Sequence, residues 1–388
     1  MDAPLRIAFH AECLLARPLT GVGQYAAALL EALAQRPDVR MVPFTRAGPY
    51  DGAEAAPVPA LAARPAGARR YAGVLRRFVP PAVRRARRHW RARRAMHALA
   101  ADLYHDPNNL LLPGFGIPEV LTVHDLSVRR FPQWHPPERI AQFARHFDAS
   151  VARARMIVTH SECVRQELIA ELGVAADRVA VAPLAAGPAF RPCAPETVRP
   201  VLARFGLHPG GYVLFVGTRE PRKNLDALLT AWERLSQAVR GARRLVLAGP
   251  AGWRSEALEQ RLDHAERAGL VARLGYVPDA DRPALYTGAD AFLYVSLYEG
   301  FGLPPLEAAA CGAPVVTSAG TPMAETLGGV AELVDPSDPA AIGEGVRRAL
   351  LDEDWRMTAR RAGPERAARY SWQACAGATV AAYRGALR

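Results

Sequence analysis

Lysine is all but absent from this chain of 388 residues: of 49 basic residues only Lys223 is a lysine, and the rest are arginines. Against that background its ammonium group stands out as a candidate for chemistry. Cysteine is sparse too. Cys13, Cys163, Cys193, Cys311 and Cys375 form no C-x-x-C pair, and their number is odd. That excludes a disulfide framework and a cysteine-held zinc site and points to a reducing, cytoplasmic setting. No run of about 18 uninterrupted apolar residues exists, so no spanning helix is expected. Met1–Ala11 has no apolar run behind a basic start, so no secretory signal is expected. Acidic residues are missing from Ala55 to Ala101, where twelve arginines gather. Elsewhere 37 basic residues meet 38 acidic ones, so the net charge of +11 belongs to one segment. This excludes a generally basic packing protein and implies one local anionic partner.

What is present is a globular composition, half hydrophobic and 22% charged, long enough for two domains. Short apolar runs alternate with helical patterns. Strands are expected at Leu5–Ala11, Val39–Phe44, Asp102–His105, Val120–Asp125, Met156–Ser161 and Val179–Pro183. A second series follows at Tyr212–Gly217, Leu245–Gly249, Leu274–Val277, Ala291–Val295, Val315–Thr317 and Glu332–Val334. Helices fit Val22–Gln35, Pro137–Arg155, Glu162–Leu172, Leu225–Val239, Glu256–Ala268, Pro304–Cys311, Pro339–Leu351 and Ser371–Leu387, with Asn224 as an N-cap. The proline-rich stretch Leu184–Pro209 reads as a stiff linker. The pattern is α/β: two doubly wound parallel sheets with a cleft between them, where ligands gather beyond the strand ends.

Several constellations could carry chemistry there. Tyr298–Glu307 (YEGFGLPPLE) runs from a buried strand through a glycine turn into a helix. The N–H groups of Phe301, Gly302 and Leu303 would be free at the helix start, an anion site flanked by the carboxylates of Glu299 and Glu307, which suit a polyhydroxylated ligand. Gly217–Asn224 (GTREPRKN) offers an arginine fork and the lone lysine, suited to a diphosphate. Gly21, Gly23 and Ala26 match G-x-G-x-x-A at a helix start, but about ten residues after the strand and with no acidic strand end following, so the nicotinamide-dinucleotide reading is weak. Three strand ends finish in His105, His124 and His160; without metal-ligand spacing, one substrate-touching histidine plus structural ones is the better reading. Asp279-Ala280-Asp281 reads as a helix cap more than a metal motif. Towards the end of the arginine-rich segment Arg64–Arg94, Val83–Leu99 with Trp90 reads as a basic amphipathic helix suited to an anionic membrane surface or a lipid-linked pyrophosphate.

The combination of Glu299, Glu307, GFGLPP, GTREPRKN and TGVGQY resembles the retaining nucleotide-sugar glycosyltransferases of family 4 over nearly the whole chain. The resemblance implies the GT-B fold, two Rossmann-like doubly wound domains facing across a cleft. Residues 1–190 would hold the acceptor and residues 191–370 the donor, with residues 371–388 packing back on the first. It implies that Glu299 holds donor-sugar hydroxyls and Glu307 the ribose. Phe301, Gly302 and Leu303 would offer backbone N–H groups, and Lys223 would bind the diphosphate. Where the family usually has arginine after the strand glycine, this sequence has Thr218, which moves that role to Arg222, with Arg219 a weaker candidate. Gly21 and Gly23 would lie against the donor, Pro278 and its neighbours would border the base, and His124 would lie by the reacting carbon. No metal is implied, because two cations meet the leaving diphosphate.

The PRKN motif with GFGLPPLE is most similar to bacterial mannosyl- or deoxymannosyltransferases of polysaccharide assembly. That implies a GDP-sugar donor, a glycan or polyprenyl-diphosphate-linked acceptor, and an enzyme peripheral on the inner membrane face. A sugar-nucleotide epimerase or phosphorylase of the same architecture, a nicotinamide oxidoreductase and a nucleic-acid-binding protein are the alternatives.

Overall fold

The structure is a computed structural model that describes residues 3–16, 19–45, 48–49, 99–112 and 114–388. The arginine-rich segment 64–94 lies outside the described residues, and so does the membrane reading placed on it. Two sheets organise the rest. The first contains β1 (Leu5–His10), β2 (Val39–Thr45), β3 (Gly48–Pro49), β4 (Leu103–Asp106), β5 (Glu119–Thr122), β6 (Met156–Thr159) and β7 (Val179–Val181). The second contains β8 (Tyr212–Val216), β9 (Arg244–Ala248), β10 (Val271–Gly275), β11 (Ala291–Tyr294), β12 (Val315–Ser318) and β13 (Glu332–Val334).

The strand orders are β3-β2-β1-β4-β5-β6-β7 and β10-β9-β8-β11-β12-β13. Both reverse direction between their first strand and the fourth in order, the doubly wound topology that opens a crevice at the carboxyl ends of the central strands. All pairings are parallel except β2 with β3. Parallel strands covered on both faces need apolar side chains throughout, and β8 (YVLFV) and β11 (AFLY) are buried at every position.

Capping fixes where the helices begin. Thr20 Oγ1 accepts from Gly23 N, Ser161 Oγ from Val164 N and Ser371 Oγ from Ala374 N, each satisfying a donor that a helix start leaves unpaired. The last helix, Trp372–Leu387, packs against the helix Gly21–Ala34 and against β5, β6 and β7. Its buried Cys375, Val380 and Tyr383 join one continuous apolar core with side chains from both sheets.

Three expectations are corrected. The third strand of the second sheet is Val271–Gly275, not Leu274–Val277. The long helix is two, Leu225–Arg234 and Gln237–Arg240. The linker holds a helix, Pro195–Arg204, with Pro200 inside it: Val198 and Leu202, four residues apart, are buried against the helix Arg282–Gly288, and that packing outweighs the proline.

Candidate active site

β8 ends at Val216, and the chain turns through Gly217 into a short 3-10 segment, Pro221–Lys223, before the helix Leu225–Arg234. Asn224 stands between them with φ 59°. It holds the N-cap position, its carbonyl accepting from Leu228 N at 3.1 Å, but its side chain does not cap the helix: Nδ2 donates to the carbonyls of Val295 and Pro336, at 3.1 and 2.6 Å, and so ties the turn to the end of β11. Leu297 N donates to Arg222 O at 2.9 Å. These bonds bring GTREPRKN against YEGFGLPPLE.

Glu299 is where they meet. Its Oε2 accepts from Arg222 at 2.7 Å and its Oε1 from Lys223 Nζ at 2.5 Å. Lys223 also donates to Tyr294 Oη, and Arg222 to Glu220 Oε1. All these charged groups are buried or nearly so. Burial pushes the Glu299 carboxyl upward, but Arg222 and Lys223 outweigh it and hold it down at about 2, so it is an anion. Burial, then Arg222, push the Lys223 ammonium down from its ordinary value. Two cations and an anion in a low-dielectric cleft are ready to exchange partners with a charged ligand.

Beyond Glu299 the turn tightens. Gly302 has φ 93°, and a Cβ there would lie 2.3 Å from Met323 Cγ. The helix Leu303–Ala310 begins immediately after it. The N–H groups of Phe301, Gly302 and Leu303 donate to no acceptor among the described residues, so this helix start presents unpaired donors. Glu307, one turn on, is 3% exposed. It accepts from Arg282 and from Tyr286 Oη at 3.1 and 3.0 Å, and burial still raises its carboxyl to about 7.

Other expected residues fall in different settings. Thr218 is partly exposed beside this turn and Pro278 is exposed. Arg219 is committed elsewhere, to Glu259 and to the Gly249 carbonyl at 2.6 and 2.7 Å. Gly21 is exposed at the start of its helix. Gly23 is required by packing, since a Cβ would lie 2.9 Å from Cys13 O, and its N–H is spent on Thr20. Asp281 does not cap its helix with its side chain; it pairs with Arg204 at 2.5 Å, and Asp279 with Arg282 at 3.1 Å.

The first sheet closes the site from the other side. A Cβ on Gly300 would lie 1.9 Å from His124 O, Ser161 Oγ donates to Gly300 O at 2.8 Å, and Leu126 N to Tyr298 Oη at 3.1 Å. The ring of His124 turns toward Pro107 O and His160. His105 is held by Tyr383 Oη and Thr122 Oγ1, both at 2.8 Å. Tyr294, Glu220, Tyr286, Tyr298 and Arg282 were not singled out for the site by sequence. Glu220 and Tyr298 lie inside the two motifs and Tyr294 at a central strand end, while Tyr286 and Arg282 carry no such signal.

Two family descriptions match the chain: Glycosyltransferase Family 4 at residues 19–186 and Glycosyl transferases group 1 at residues 207–366. The O-antigen chain mannosyltransferase B of Escherichia coli is 35% identical over 370 residues, 95% of this chain and 96% of that protein. The chain belongs to glycosyltransferase family 4. Solved relatives carry the same fold. Anabaena HepE, in complex with UDP and glucose, has a TM-score of 0.73 at 16% identity, covering 98% of this chain and 99% of that one. Sucrose-phosphate synthase from Thermosynechococcus elongatus has 0.70 at 22% identity, with 98% of each chain covered. The fold is GT-B and the protein is a hexosyltransferase of this family.

Proposed function

We propose that this glycosyltransferase moves a mannosyl or deoxymannosyl residue from a GDP-sugar to a glycan or polyprenyl-diphosphate-linked acceptor during assembly of a surface polysaccharide. The observation that carries the site is Glu299 bridging Arg222 and Lys223 beside the unpaired N–H groups of Phe301–Leu303. The likeness to the O-antigen mannosyltransferase supports the sugar and the pathway class. Arg222 and Lys223 take the diphosphate, which frees Glu299 to accept from sugar hydroxyls. Glu307 and Arg282 meet the ribose, Thr218 and Pro278 border the nucleotide, and Gly21, Gly23 and His124 line the first sheet's side.

In the reaction the acceptor hydroxyl oxygen bonds to the anomeric carbon on the face the diphosphate leaves. The bond from that carbon to the phosphate oxygen breaks with both electrons going to the diphosphate, and the hydroxyl proton passes to it. Arg222 and Lys223 stabilise the growing charge in a buried setting, where fixed cations act strongly. No group of three or more histidines, cysteines or carboxylates is placed to hold a metal among the described residues, and none of them forms a helix long and apolar enough to cross a membrane. We place the enzyme on the cytoplasmic membrane face, docked by its arginine-rich segment.

Glu299→Ala and Lys223→Ala should each lower kcat/KM for GDP-mannose turnover by about 100-fold or more. Unchanged values in both would sink the site. A thermal-shift comparison of GDP, UDP and ADP tests the base, since the nucleotide bound by the folded state raises Tm.

A further inference from the structure

His124 and His160 are joined by more hydrogen bonds than two neutral imidazoles can supply. His124 follows β5 and His160 follows β6, so both stand at strand ends that face the cleft. His124 Nε2 lies 2.8 Å from Pro107 O, and His160 Nδ1 lies 3.1 Å from Ala182 O. Between the rings, His124 Nδ1 and His160 Nε2 are 3.0 Å apart. A carbonyl oxygen only accepts, so each outer nitrogen must carry a hydrogen. A neutral imidazole has one N–H, and both are then spent outward. The inner nitrogens would meet lone pair to lone pair. The middle bond forms only if a third proton is present.

We propose that His124 and His160 share one additional proton, taken up as the donor's diphosphate enters the cleft, and that His160 is thereby the positioning residue for His124. The inference rests on the donor-site reading above. Burial pushes both rings toward the neutral form, His160 to about 3, so without an anion the pair has two protons for three bonds. The surroundings leave the balance to the ligand. Asp106 and His105 face the pair from β4 and Asp125 from the loop after β5, and neither carboxylate is hydrogen-bonded to either ring. Asp106 is engaged by His10 and Tyr104 Oη at 2.9 and 2.6 Å. Tyr25, from the helix Gly21–Ala34, meets both rings edge-on, at 5.1 and 4.7 Å between centroids. From the second sheet, Gly300 approaches the His124 backbone so closely that a Cβ on it would meet the His124 carbonyl.

The test is calorimetry of GDP-mannose binding in buffers of different ionisation enthalpy, with UDP-glucose as the probe if GDP-mannose does not bind. Neither diphosphate diester titrates near neutrality. The wild type should take up a fraction of a proton, at most one, and its affinity should weaken as pH rises, by no more than about tenfold per unit. In His160→Gln the side-chain amide can donate to His124 Nδ1 without titrating; it should bind the donor with no uptake and a flatter pH profile. His160→Phe, which fills the space and makes no bond, should bind more weakly and also without uptake. Donor binding by the wild type with no uptake anywhere from about pH 5 to 8 overturns the shared proton and leaves the donor site standing. Undiminished uptake in His160→Gln overturns it as well. Failure of the wild type to bind either nucleotide sugar overturns both readings. The wild-type heats decide even if a variant fails to fold.

Discussion

Glu307 shows how far a single side chain's chemistry departs from its sequence label. Two donors hold it, yet burial raises its carboxyl to about 7 from an ordinary value of 4.5. Because folding favours the protonated form, the group's contribution to stability is lost as pH rises from about 4.5 to about 7 and is constant beyond. Glu307→Gln removes that dependence. The variant should match the wild type in acid and exceed it progressively up to neutral pH, by at most ~3 kcal/mol, while nucleotide affinity falls. Thermal melts across pH check this; a stability difference independent of pH would mean that Arg282 keeps Glu307 ionised throughout. Sequence marked the residue but not its charge state, because the tyrosine and arginine around it come from the helix Arg282–Gly288. Lys223 was legible for the opposite reason. An arginine-only background leaves its one ammonium exposed to notice, and Glu299 and Tyr294 account for its burial.

At the scale of elements, local pattern located most strands and helices and failed where tertiary contacts decide. The strand β10 lies earlier than its apolar run because its register is set by β9, with Val271 opposite Leu245. The prolines of residues 184–209 suggested an extended linker, but two apolar side chains four residues apart were enough for a helix once a partner helix covered them. Asn224 is the sharpest case. Its position was identified and its role was not, since the acceptors of its amide, Val295 O and Pro336 O, lie 71 and 112 residues away. Asn224→Ala should therefore destabilise by about 2 kcal/mol, from two lost bonds and a left-handed backbone that alanine resists. Asn224→Gly should recover the backbone part only. Denaturant melts separate the two; equal losses would mean that the conformation contributes nothing.

The whole molecule works as two sheets closed on one another, and contacts that no motif predicts hold the closure. Glu325 Oε1 and Oε2 accept from Cys163 N and Glu162 N at 2.7 and 3.1 Å, a carboxylate from the second sheet's side set at the start of a helix of the first. Trp253 Nε1 donates across to Trp134 O at 2.6 Å. Gly300 sits so near the His124 carbonyl that a Cβ on it would lie 1.9 Å from that oxygen. Sequence gave a reason for glycine in the turn, the binding of an anion, but the fold adds another: no side chain fits between the sheets there. Gly300→Ala must push the sheets apart at the point where the donor turn meets the strand ends that carry His124. The bonds of Glu299 to Arg222 and Lys223 lie wholly within the second sheet's side and need no closure. GDP should therefore still raise the Tm of Gly300→Ala, while kcat falls by more than about tenfold, since misplacing groups by an ångström has large kinetic cost. Small-angle scattering should show a larger radius of gyration than that of the wild type. Wild-type kcat in the alanine variant would mean that transfer does not require the two sheets to meet at this glycine.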